Sequence, residues 1–172
     1  MKLLLHTCCA PCLIYPAQQL KKQGFQVTGF FYNPNIYPPE EYQKRRMGVV
    51  ALSGADKIEV IFPEYIPSEF LSAVGEEKTR PKRCLLCWSL RLARTAQFAK
   101  ENKFYGFSTT LLVSPYQDQE AIKKIGREIS EKEGIFFHDE DFRPGFKKAH
   151  EQARAKGIYC QNYCGCMYSI SR

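Results

Sequence analysis

Short apolar runs alternate with longer segments of helical period along this chain, and that alternation limits the fold more than any other feature of the sequence. Residues 3–5, 27–32, 57–62, 104–107 and 135–137 read as five strands. Residues 13–22, 40–52, 68–75, 84–100, 117–132 and 145–155 read as helices, with Gly24 stopping the first and Ser68 placed to cap the third. The turn residues Asn33-Pro34-Asn35 and Pro38-Pro39 close the second strand. No Asn-Gly or Asp-Gly pair signals a hairpin. Alternation without hairpins predicts an α/β fold. We expect a single domain over residues 1–172, with a doubly wound, mostly parallel five-stranded sheet and helices on both faces. Ligands of such sheets bind beyond the carboxyl ends of the strands.

Eight cysteines, at positions 8, 9, 12, 84, 87, 160, 164 and 166, supply the chemistry. With 44% hydrophobic residues in 172, the chain can fill a core without covalent staples, so close-set cysteines point to metal or redox work. No apolar run approaches the roughly 20 residues of a membrane-spanning helix, and the apolar start is too short for a secretory signal. A cytoplasmic protein without membrane contact is the expectation.

Cys84-Leu85-Leu86-Cys87 lets two thiolates reach one metal from a single helical turn, and Cys8-Cys9 offers two more just past the first strand. Four thiolates suit a structural zinc or an iron-sulfur cluster. Cys9-Ala10-Pro11-Cys12 at a helix start also has the form of a thiol redox pair, because a helix N-terminus stabilises thiolate. A thioredoxin fold, though, would need a late antiparallel hairpin. Tyr163-Cys164-Gly165-Cys166 places two thiols one residue apart, suited to a strained, reducible disulfide or to a second metal. Cys160, without a partner at a recognisable spacing, reads as structural. His6, ending the first strand, reads as a satisfied core histidine.

The formal net charge of +7 suits a partner made of phosphates. Arg83, Arg91 and Arg94 flank the CxxC and are placed to track a phosphate backbone, and Tyr116 on a strand-end loop offers a face for an unstacked base. Asp139, Glu140 and Asp141 crowd the end of the fifth strand beside Arg143. Asp141, nearest the following turn, is the candidate to ligate iron or move a proton, against the plainer reading of an acidic turn paired to Arg143.

His6-Thr7-Cys8-Cys9-Ala10-Pro11-Cys12, Asn33-Pro34-Asn35, Arg83-Cys84-Leu85-Leu86-Cys87, Ser114-Pro115-Tyr116, Asp141-Phe142-Arg143 and Tyr163-Cys164-Gly165-Cys166 together resemble the cobalamin-independent epoxyqueuosine reductase family, QueH. The resemblance runs over essentially the whole chain, in order. It implies an iron-sulfur oxidoreductase that removes the epoxide oxygen from epoxyqueuosine at the wobble position of tRNA, the last step of queuosine synthesis. Two electrons, from an external donor, and two protons are consumed. By the same resemblance Cys8, Cys9, Cys84 and Cys87 hold a [4Fe-4S] cluster, and Cys164 and Cys166 are a redox-active pair or ligands of an adjacent iron or other metal ion. Cys12 and Asp141 are further candidates for the second centre. Arg83, Arg91, Arg94, Tyr116 and Arg143 are the expected contacts to the anticodon stem-loop.

Four other classes use some of the same residues. A zinc-stabilised nucleic-acid binding module would be colourless, and a thiol-disulfide oxidoreductase would survive iron chelation. A nucleotide-dependent tRNA-modifying enzyme would need a phosphate-cradling glycine loop after the first strand, where the cysteines stand instead. A plain electron carrier needs no base-binding platform.

Overall fold

In the computed structural model, which describes residues 1–170, Leu3, Leu4 and Leu5 are fully buried on the central strand, β1 (Lys2–His6). Ser171 and Arg172, the last positions of the expected domain, lie outside the described residues. Neighbouring side chains of a strand point to opposite faces, so a run of buried leucines needs helices above and below it. β1 pairs with β2 (Gln26–Phe30) on one side and β4 (Gly106–Thr109) on the other. β3 (Glu59–Ile61) and β5 (Phe136–Phe137) take the edges, giving the order β3-β2-β1-β4-β5 with every pairing parallel.

From β1 the chain steps outward through α1 (Ala10–Lys22), β2 and α2 (Pro39–Asp56) to β3. It then returns through α3 (Pro67–Val74) and α4 (Lys82–Glu101) to β4, and α5 (Gln119–Glu133) leads on to β5. Parallel crossovers are right-handed, so reversing direction changes the face that the connecting helices cover. Accordingly α1 packs with α2 and α6 (Phe146–Ala155), while α4 packs with α3 and α5. The reversal lies between β1 and β4, where sheets of this kind open a crevice for ligands.

Several element starts differ from the sequence reading. α1 begins at Ala10 instead of residue 13, because Pro11 fits the first helical turn and Cys9 caps it, its sulfur accepting the Cys12 N–H at 3.4 Å. Ser68 does not cap α3: Ile66 holds that position without a side-chain bond, and Pro67 opens the helix. β4 runs two residues later than expected. Gly106 lets β4 and β5 approach there, since a Cβ at that position would lie 2.5 Å from the Phe136 carbonyl oxygen.

Candidate metal centre

The loop after β1 and the cap of α1 bring Cys8, Cys9 and Cys12 together, their sulfurs all within 4.8 Å of one another and those of Cys8 and Cys9 3.7 Å apart. The 3-10 turn Thr110–Val113, which continues β4 across the crevice, braces this triad. Thr110 Oγ1 accepts the Cys8 N–H at 3.1 Å and donates to the Cys8 sulfur at 3.3 Å. The triad is therefore held where β1 and β4, the two strands between which the chain reverses, come to their carboxyl ends.

A second thiol group stands on the other wall. Cys84 and Cys87 in the first turns of α4 line a cavity of about 180 Å³ together with Cys164 and Cys166. A larger cavity of about 880 Å³, lined by Cys8, Cys12 and Cys164, adjoins it, and the two share Arg91 and Cys164. Arg91 is buried, with Nη2 bonded to Asn33 Oδ1 at 2.8 Å and Nη1 3.8 Å from the Cys87 sulfur. Its Nε–H and the buried Asn35 Oδ1 find no hydrogen-bond partner among the described residues.

In each thiol group one sulfur is more acidic than an ordinary thiol. Hydrogen bonds from Cys12 and Cys9 hold the Cys8 thiol well below the usual range, hydrogen bonds to Cys8 and Cys9 push Cys12 well up, and burial pushes Cys9 up. Burial also raises Cys87 to about 11 and lifts Cys166. At Cys164 burial acts in the same direction, but the Ser169 hydroxyl, the Cys166 backbone and the Arg91 and Arg45 guanidiniums outweigh it and leave the thiol below its ordinary value. His6, buried and bonded to Thr109 Oγ1 at 2.9 Å and to the Tyr32 carbonyl at 3.1 Å, is the core histidine expected.

The Cys164-Gly165-Cys166 wall is pinned by α2. Glu41, itself buried, binds Arg45 Nε at 2.9 Å, and Arg45 donates to the carbonyls of Cys164 at 3.2 Å and Tyr163 at 3.0 Å. Tyr159 OH closes the same network on Glu41 at 2.8 Å. Ile36 and Cys166 form an isolated antiparallel bridge, with the Tyr37 N–H on the Gly165 carbonyl at 2.8 Å. Gly165 has φ +106, and a Cβ there would meet Ile36 Cγ1 at 2.9 Å, so the middle residue of the motif has to be glycine.

The structure thus gathers Cys8, Cys9, Cys12, Cys84, Cys87, Cys164 and Cys166 around one crevice, all as free thiols. Cys160 is set apart, half-buried against the core. Arg83 and Arg91 are 4% and 3% exposed, so neither is free to track a phosphate backbone on the outer surface; both line the thiol cavity instead. Arg83 is tied to the Lys78 carbonyl at 2.6 Å. Arg94 is exposed on α4 and lies outside both cavity linings. Tyr116 is 83% exposed at the mouth of both. Asp141 and Arg143 pair with each other at 2.8 and 2.7 Å on an exposed turn away from these cavities, the plainer of the two readings. The Arg143 side chain beside it holds the Asp141 carboxyl down at about 2.

Sequence reading missed Thr110 as the brace of Cys8 and the Glu41–Arg45 pair as the anchor of the tail. From sequence, Ser108-Thr109-Thr110 read as hydroxyls for a ribose or phosphate or as turn and cap residues, and neither use points to a thiol. The i,i+4 spacing of Glu41 and Arg45 was visible, but such pairs are ordinary on exposed helix faces.

A family model described as epoxyqueuosine reductase QueH matches residues 3–172. Proteins of that description from Thermotoga maritima, Dehalococcoides mccartyi and Acinetobacter baylyi are 39%, 34% and 36% identical to this chain. The alignments cover 97%, 98% and 98% of it and 89%, 92% and 80% of their own lengths. Among solved structures, one described as a predicted subunit of tRNA methyltransferase from Methanocaldococcus jannaschii shares the fold. Its TM-score is 0.59 at 12% identity, with 90% of this chain and 74% of that one covered. A match along nearly the whole chain, with the thiols of its motifs gathered in one crevice, settles the assignment: the chain belongs to the epoxyqueuosine reductase QueH family.

Proposed function

We propose that this chain reduces epoxyqueuosine to queuosine in tRNA, with a [4Fe-4S] cluster held by Cys8, Cys9, Cys84 and Cys87 and with Cys164 and Cys166 acting in turnover. The observation that carries the reading is the convergence of seven thiols on one crevice around a buried arginine. The donor set fits the group: sulfur is the ligand iron-sulfur clusters take, and the spare Arg91 Nε–H can donate to a sulfur acceptor. When bound, such a cluster supplies electrons at low potential, one at a time.

The reaction removes the epoxide oxygen as water and leaves an alkene, using two electrons and two protons. Cys12 lines the cavity wall beside Cys8 and is the group we assign to protonate the leaving oxygen. Cys164, the more acidic thiol of its pair, faces the same space. Arg91 balances the negative charge that gathers between the two thiol groups. Asp141, committed to Arg143, is a structural carboxylate here and not the acid. Electrons enter from an external donor.

One observation favours a second partition of the thiols. Metal–sulfur bonds of about 2.3 Å around one tetrahedral ion put its sulfur ligands roughly 3.8 Å apart. Cys8 and Cys9 have that spacing, with Cys12 within 4.8 Å, whereas thiolates of a cubane each bind a different iron and stand further apart. On this reading the triad holds a single iron, and Cys84, Cys87, Cys164 and Cys166 hold the cluster.

Anaerobically purified protein incubated with a reductant and tRNA carrying epoxyqueuosine tests the proposal, with the released nucleosides analysed for queuosine. Brown protein that forms queuosine is expected. Colourless protein with about one zinc per chain and no product would overturn it.

A further inference from the structure

The large cavity is charged in one sense only. Arg45, Arg80, Arg91, Lys147 and Arg154 all line it, and no aspartate or glutamate does. Arg45 is neutralised by Glu41 and Arg91 is buried beside the thiols. Arg80, Lys147 and Arg154 are exposed, and none forms a salt bridge among the described residues. Arg80 precedes α4 on one face of the sheet, whereas Lys147 and Arg154 belong to α6 on the other.

On α6, Lys147, His150 and Arg154 recur at helical spacing and form one stripe along the cavity, while Ala149 and Ala153 are buried against the fold. His150 Nδ1 donates to the Phe146 carbonyl at 2.9 Å, which leaves Nε2 for the cavity. At the head of the stripe, Tyr116 stands edge-on to Phe146, the centroids 5.9 Å apart at 81°. An exposed aromatic face beside unpaired cations is the combination that holds single-stranded nucleic acid: bases stack on the ring and phosphates meet the charges.

We infer that the α6 stripe of Lys147, His150 and Arg154, with the Tyr116–Phe146 pair at its head, is the dock for the anticodon loop, gripping its phosphates so that one unstacked base enters the thiol cavity. The inference rests on tRNA being the substrate and names the surface that takes it. It moves the phosphate-binding role from the CxxC helix, where Arg83 and Arg91 are buried, to the opposite wall.

The test is fluorescence anisotropy of an unmodified anticodon stem-loop RNA titrated with intact, iron-loaded protein at several salt concentrations. The K147A/R154A double variant should bind more weakly and show a shallower salt dependence, the slope falling by about 0.7 for each single-strand phosphate that is no longer neutralised. Tyr116→Ala should weaken binding about fivefold or more while leaving the slope unchanged. Lys132→Ala, which removes an exposed charge from α5 outside the cavity, is the control and should leave both unchanged. The inference is overturned if the double variant keeps wild-type affinity and slope, or if the control loses as much as one cavity charge does. Turnover is read separately. Wild-type protein that makes no queuosine but loses RNA binding in the double variant refutes the reaction and leaves the dock standing. The reverse pattern refutes only the dock.

Discussion

Arg91 Nη1 lies 3.8 Å from the Cys87 sulfur, one helical turn along α4, and the arginine is only 3% exposed. A guanidinium is tolerated at such depth when its charge is met, here by Asn33 on one side and the thiols on the other. Replacing Arg91 by Met should therefore leave the thiols without their counter-charge, costing about 3 kcal/mol or more in loaded protein. Denaturant unfolding with iron analysis checks this: iron per chain should fall, and whatever cluster remains should have a lower midpoint potential. Arg91→Lys should recover part of both.

Cys164→Ser and Cys166→Ser separate the two partitions of the thiols. If the cluster sits on Cys8, Cys9, Cys84 and Cys87, both variants stay brown and lose queuosine formation. If Cys164 and Cys166 are cluster ligands, the colour and about four irons per chain are lost with the activity. The measurement is iron and sulfide content beside a turnover assay.

Gly165→Ala is expected to damage the site from behind. Its φ of +106 and the approach of Ile36 Cγ1 oppose a Cβ, so the variant should lose about 1–2 kcal/mol and loosen the Cys164–Cys166 wall. Faster alkylation of Cys164 and Cys166 in iron-free protein, with Cys8 and Cys12 unaffected, is the signature to seek.

Asp141→Asn should keep turnover within a few-fold of wild type and cost less than about 1 kcal/mol, since its ion pair with Arg143 is exposed to water. The carboxyl titrates near 2 in the fold against 3.8 in a free chain. Whatever stability the pair adds is present above pH 3.8 and disappears as the pH falls toward 2. The variant should flatten that part of the acid-unfolding curve, and a hundredfold loss of turnover would instead make Asp141 the proton donor.

The sheet could be read from the sequence because strand and helix periods differ enough to be seen without tertiary information. Helix starts could not, where a sulfur serves as the cap or no side chain does, as at Cys9 and Ile66. The cysteines announced themselves in pairs, but which pairs meet depends on the Glu41–Arg45 anchor that draws the tail to α2, a link spanning most of the chain. Arg91 looked like a surface charge because arginines usually are. Its phase tells otherwise: Cys84, Cys87 and Arg91 recur on one helix face, and that face turns inward.

The antiparallel bridge between Ile36 and Cys166 has a consequence for how the protein is made. Residues that close the crevice are separated in sequence by three of the five parallel strands, and such long-range pairings form late and slowly in folding. A metal taken by these thiols should accordingly be inserted after synthesis, into a finished fold. Until then an open set of thiols is exposed to oxidants, so metal-free protein should lose thiols to oxidation before it unfolds.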